Sequence, residues 1–171
     1  MRTTRPPLLL VDIDGVISLF GFDPAQPPPG RFITVDGIIH FLSHDGGARL
    51  LELAERFEVV WCSGWEEKAD EHLPFALGVP AGLPHISFPP AGQGSDRHWK
   101  LDAIDRFAGA HRPLAWIDDA HDDSCVAWAA ERGVPTLLVT TEPATGLTAA
   151  HSEQLSGWAA ELARREAPEA D

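Results

Sequence analysis

Three times in this chain an apolar run stops against acids or small polar residues. Pro7 is followed by Leu8-Leu9-Leu10-Val11, which ends at Asp12-Ile13-Asp14-Gly15; Glu58-Val59-Val60-Trp61-Cys62 ends at Ser63-Gly64; Pro113-Leu114-Ala115-Trp116-Ile117 ends at Asp118-Asp119. Uninterrupted apolar runs of this length suit strands covered on both faces, as in a parallel sheet. Such a sheet needs a long crossover after each strand, and helical stretches separate these runs. The sequence therefore predicts an α/β fold: a Rossmann-like three-layer sandwich with a central parallel sheet. In such folds the chemistry sits outside the carboxyl ends of the strands, where all three polar clusters fall.

The intervening elements follow from local pattern. Asp36-Gly37 between Arg31–Val35 and Ile38–Leu42 is a type I′ hairpin signal and predicts a small β-hairpin flap over residues 31–42. A helix opening at Asp45 or Gly46 would bury Leu50, Leu51, Leu53, Ala54 and Phe57. Further helices are expected over Trp65–Leu73, with Glu66 and Glu67 in the first turn, over His98–Ala108, over Ser124–Arg132 closed by Gly133, and over Thr148–Arg165 before a polar tail. Val134–Val139 predicts a fourth strand, and the Pro/Gly-rich stretch from Pro74 to Asp96 predicts mostly loop. A length of 171 residues without an internal linker is read as one domain, 1–171.

Charge narrows the partners. Thirteen Lys and Arg stand against 26 Asp and Glu, a formal net charge of -13, which repels polyphosphate and anionic lipid. A nucleic-acid polymer and a membrane surface are thus not the expected partners. The apolar run after Arg2 and Arg5 is too short for a signal peptide or a membrane span. Cys62 and Cys125 are too few for a disulfide scaffold, and free thiols point to a cytoplasmic protein.

Asp12 and Asp14, two apart at a strand end, would point one way into a common site, and Asp118, Asp119, Asp122 and Asp123 would join from another strand end. So many carboxylates repel unless a cation joins them, and an all-oxygen set favours Mg²⁺. Lys100 adds a fixed positive charge, Ser63 a hydroxyl donor, and Gly64 a backbone that allows close approach. Together these groups suit a phosphoryl group: cations neutralise its oxygens, a carboxylate attacks phosphorus, and a second acid serves the leaving oxygen and then water. A cysteine phosphatase at Cys62 is disfavoured, because the Arg it would need six positions later is Lys68.

The ordered set Asp12-x-Asp14-Gly15-Val16, Ser63, Lys100 and Asp118-Asp119-x-x-x-Asp123 resembles the haloacid dehalogenase (HAD) superfamily across nearly the whole chain. The resemblance implies Asp12 as nucleophile and metal ligand, and Asp14 as general acid/base with its backbone carbonyl on Mg²⁺. It implies Ser63 on the transferring phosphoryl and Lys100 beside it. It makes Asp119 a metal ligand, Asp118 a partner of Lys100 (the two roles being exchangeable), and Asp123 the holder of a metal-bound water. Asp14 marks phosphate chemistry rather than dehalogenation. The implied function is a Mg²⁺-dependent phosphatase acting on a small phosphorylated substrate, or on an accessible phosphate of a larger molecule. Phosphotransfer, nucleotide or nucleic-acid end processing, and a non-catalytic Mg²⁺- or phosphate-binding module are the alternatives. The short insertions resemble the minimal-cap group, whose open sites take large substrates or borrow a lid from another subunit, so a homo-oligomer is among the partners implied. Arg31 and His40 would stand on the flap.

Overall fold

A computed structural model describes residues 5–90 and 96–166 of the chain. Four parallel strands form its centre, β1 (Leu8–Val11), β5 (Glu58–Trp61), β6 (Leu114–Asp118) and β7 (Thr136–Thr140), in the order β5-β1-β6-β7. β1 runs between β5 and β6, with Val11 opposite Trp61 on one side and Ile117 on the other. The chain leaves β1 toward one edge and later crosses to the other, so the crevice beyond Val11 is the topological switch point.

Alternation along β1 fixes the layers. Leu9 and Val11 face a core shared with Leu50, Leu53, Leu73, Leu155 and Ala159. These come from α1 (His44–Leu53), α2 (Lys68–Leu77) and α5 (Ala149–Glu166). Leu8 and Leu10 face the opposite core, with Leu101 and Ile104 of α3 (Leu101–Ala108) and Cys125 and Trp128 of α4 (Asp123–Glu131). All four β1 side chains are fully buried, each contributing about 1.5–3 kcal/mol of apolar burial.

A separate three-stranded sheet carries the predicted hairpin: β3 (Gly30–Val35) and β4 (Ile38–Ser43) pair antiparallel around Asp36 and Gly37. Both turn residues have positive φ, 50° and 79°, as a type I′ turn demands. The third member, β2 (Ser18–Leu19), is only two residues long and left no pattern to read. Lys68 at the start of α2 ion-pairs with Asp36 and ties the flap tip to the body.

The helix expected over Trp65–Leu73 is displaced to Lys68–Leu77. Glu66 takes a left-handed φ of 47° in the turn before it, where the Trp65 indole reaches Asp14 and the Glu66 carboxylate accepts from the Phe88 amide at 2.8 Å. Pro74 lies inside this helix and has no amide to donate to the Asp70 carbonyl; one turn later the helix closes with the Gly78 amide donating to the Pro74 carbonyl. Part of the expected 74–96 loop is therefore helix, and residues 91–95 of it lie outside the described residues, as do Arg2 and the polar tail beyond Glu166. Among the described residues, no helix is long and apolar enough to cross a membrane.

Candidate active site

Asp12 follows β1 directly, and its amide still donates to the Ile117 carbonyl at 3.0 Å, which holds it against the end of β6. Gly15 then turns the chain at a φ of 80°, and a Cβ there would lie 2.4 Å from the Asp119 carboxylate. Glycine is thus needed both for the backbone and for room. Thr141, buried just past β7, locks the two acidic turns together: its hydroxyl donates to the Gly15 carbonyl (2.8 Å) and its amide to the Asp118 carbonyl (3.1 Å).

Lys100 lies one residue before α3 and sends its stem into the core, leaving only 3% of the residue exposed. Its ammonium group has three acceptors: Asp118 Oδ2 at 2.6 Å, the Cys62 carbonyl at 2.9 Å and Asp12 Oδ1 at 3.0 Å. Three protons and three acceptors leave this buried charge satisfied. Burial alone would lower the Lys100 pKa; Asp12 and Asp118 outweigh it and hold the side chain charged. Asp118 is equally enclosed, with its second oxygen accepting from the Ala120 amide at 3.0 Å.

Asp12 is less well compensated. Its desolvation outweighs the attraction of Lys100, Asp118 adds repulsion, and its pKa rises to about 7. Burial and the Asp118 charge raise Asp119 as well. Carboxylate oxygens of Asp12, Asp118 and Asp119 lie within 4.8 Å of one another. Clustered, partly desolvated oxygens with one ammonium among them fit a small hard cation, which would offset the desolvation and the repulsion that raise Asp12.

Asp14 is held from two sides. The Trp65 indole N–H donates to Oδ2 at 3.0 Å, and His40 Nδ1, from β4 of the flap, lies 3.3 Å from Oδ1 and 3.2 Å from Ser18 Oγ. The His40 and Trp65 rings meet edge to face at 4.5 Å. Asp12, Asp14, Ser63, Gly64, Lys100, Asp118 and Asp119 line one open cleft of about 320 Å³, with His98, Trp99 and Ala120. Burial lowers the pKa of His98, and pushes that of His121 down to about 4, so at neutral pH these rings are uncharged and Lys100 is the cation at the cleft floor.

Of the residues singled out from sequence, Asp12, Asp14, Ser63, Lys100, Asp118 and Asp119 come together in this cleft. Asp123 stands exposed at the first position of α4, outside the cleft lining, where its neighbour Asp122 caps the helix by accepting from the Ser124 and Cys125 amides. Cys62 is fully buried and its thiol is pushed up by desolvation, which fits a core residue and not a nucleophile. Trp65 and Thr141 are contributors that sequence reasoning left without a role, and His40, expected on the flap, stands there and meets Asp14.

A parallel sheet with Asp12, Lys100 and the Asp118–Asp119 pair converging beyond its switch point defines a HAD-type α/β domain. Residues 8–152 match the family model described as the HAD domain in Swiss Army Knife RNA repair proteins, and the chain belongs to that family. No curated protein gives a significant match.

Proposed function

We propose that this chain is a Mg²⁺-dependent phosphatase that hydrolyses a phosphomonoester through an aspartyl-phosphate on Asp12. The observation that carries the reading is the placement of Asp12 3.0 Å from a buried, fully satisfied Lys100, with Asp14 clamped two residues further on in the same cleft. Asp12 and Asp119 would hold the cation with the Asp14 carbonyl, and Asp123 would act on it through water. When bound, Mg²⁺ supplies charge neutralisation for the phosphoryl oxygens and the acids around them.

This chain's own groups do the rest. A carboxylate oxygen of Asp12 bonds to phosphorus as the bond to the leaving oxygen breaks, and Asp14 gives that oxygen its proton. Asp14, now ionised, takes a proton from a water that attacks the phosphorus of the acyl-phosphate, freeing Asp12 and inorganic phosphate. Ser63 binds an equatorial oxygen, and Lys100, held in place through Asp118, supplies the positive charge that steadies the Asp12 carboxylate and the phosphoryl group beside it. The test is phosphate release from a panel of phosphomonoesters with Mg²⁺ or EDTA. Wild type should turn over only with Mg²⁺, and D12N should lose turnover by roughly a thousandfold or more while keeping its fold. Appreciable hydrolysis by D12N would remove Asp12 from the nucleophile role. Alcohol acceptors in the same assay separate hydrolysis from phosphotransfer.

The family description favours a second reading of the substrate, the terminal phosphate of an RNA. A net charge of -13 weighs against tracking a long backbone but not against taking one end of it into an open cleft. Short RNAs with a 5′- or a 3′-phosphate, compared with the mononucleotides at several salt concentrations, decide between a small substrate and a polymer end.

A further inference from the structure

We propose that Trp99 is a stacking platform for the base of a nucleoside phosphate whose phosphate occupies the Asp12–Lys100 cleft; the inference rests on the phosphatase reading and names its substrate class. Of the six tryptophans, Trp99 alone is exposed, at 58%, whereas Trp61 and Trp116 are wholly buried. A lone exposed aromatic is ordinary, but this one lines the cleft that holds the reactive acids. It also neighbours Lys100 in sequence, and its ring centroid is 5.2 Å from the Lys100 Nζ.

The ring is backed and its backbone is tethered. Phe88 packs against it at 4.7 Å, tilted by 58°, and the Phe88 amide is fixed to the Glu66 carboxylate. On the chain's other side, the His98 amide donates to Ser124 Oγ at 2.8 Å, and Lys100 is committed to three buried acceptors. A preorganised aromatic surface beside a phosphate site offers a contact for a flat ring attached through a sugar.

Charge makes the same case from another direction. With 13 basic residues against 26 acidic ones, the protein has little with which to follow a phosphate backbone, so affinity for a nucleoside phosphate beyond what the phosphate finds in the cleft is best supplied by a contact that does not depend on charge. Stacking is such a contact, and its loss by alanine substitution typically costs about 5- to 150-fold in binding.

The experiment compares AMP with ribose 5-phosphate, which keeps phosphate and sugar but has no base, on wild type, W99A and W99F with Mg²⁺. Wild type should prefer AMP in kcat/KM by about tenfold or more, mostly through KM. W99A should collapse that ratio toward one, and W99F should restore part of it, which a merely structural defect at Lys100 would not do. No AMP preference in wild type, or a ratio that W99A leaves intact, overturns the platform. Preferential hydrolysis of a phosphotyrosine peptide over AMP overturns the nucleoside assignment. If wild type releases phosphate from no substrate, the phosphatase reading fails, and calorimetric binding of the same two ligands decides the platform: AMP tighter than ribose 5-phosphate in wild type but not in W99A supports it, and equal binding refutes it.

Discussion

Replacing Lys100 by Met tests the organisation of the site without asking anything of catalysis. Methionine keeps the length and apolar character of the stem and removes only the ammonium, which lies between Asp118 at 2.6 Å and Asp12 at 3.0 Å. At these separations each pair is worth about 6 kcal/mol at an effective dielectric of 20, before the cost of desolvating the charges. Deleting one member of such a buried group, and leaving the others unpaired, typically costs about 3–5 kcal/mol. For a chain of this length that lowers Tm by roughly 6–20 °C.

The sign of the pH dependence follows. The Lys100 pKa is raised on folding, so its contribution is fully present below the unfolded lysine value and is lost only as pH rises through the still higher folded one. Between pH 5 and 8 the wild-type lysine contribution is therefore constant. In K100M both acids lose their counter-charge, the raised pKa of Asp12 rises further, and its ionisation costs folded-state stability. The deficit should thus be largest at pH 8 and shrink toward pH 5 as Asp12 takes up its proton. Thermal and urea unfolding in EDTA at both pH values, with a K100M/D118N double variant that removes one of the stranded charges, form the assay. The double variant should recover part of the loss. A K100M protein melting within about 2 °C of wild type at pH 8 would refute the satisfied buried triad from which the site has been built.

Three further outcomes are expected. The Asp12 pKa stands at about 7 against an ordinary 3.8, so the cation-free protein should lose stability as pH rises from about 4 through 7, and the Mg²⁺-induced rise in Tm should grow between pH 6 and 8 and vanish in D12N and D119N. An equal Mg²⁺ shift at both pH values would contradict this. Removing the indole N–H that holds Asp14, by W65F, should slow alkyl phosphates by about tenfold or more yet leave p-nitrophenyl phosphate within about threefold, since only poor leaving groups need the acid; equal losses on both would show that Trp65 is merely structural. Cys62 and Cys125 are both buried with raised pKa values, so a disulfide thiol reagent should label neither until guanidinium unfolds the chain.

The parts of this molecule that were legible in the sequence are those whose physics is local. Leu8–Val11 is apolar at every position because both faces of β1 are covered, and Asp36-Gly37 announces its turn because two consecutive residues there need positive φ. The polar clusters following each run are legible for a related reason: at a strand's carboxyl end the chain must leave the core, so acids placed there meet. What was not legible depends on contacts between distant segments. β2 exists only because Ser18 and Leu19 lie beside Leu42 and Phe41. The start of α2 is displaced by bonds from Trp65 to Asp14 and from Glu66 to Phe88, 51 and 22 residues away in sequence.

The same division runs through the site. Asp12, Ser63 and Asp118 are delivered by strand ends and need nothing more than the sheet to bring them together. Asp14 has left β1 and the Gly15 turn begins beside it, so its carboxylate is set instead by the flap through His40 and by the loop after β5 through Trp65. On the proposed mechanism the attacking group would thus stand at the end of the sheet, and the proton-transfer group would be held by the flap and a loop. A substrate entering beneath the flap would reach Asp12 without disturbing the core, yet could alter the His40–Asp14 contact directly. If Asp14 is the general acid, the flap would belong to the acid–base apparatus, and its substitutions should change sensitivity to the leaving group more than the capacity to form the proposed phosphoenzyme.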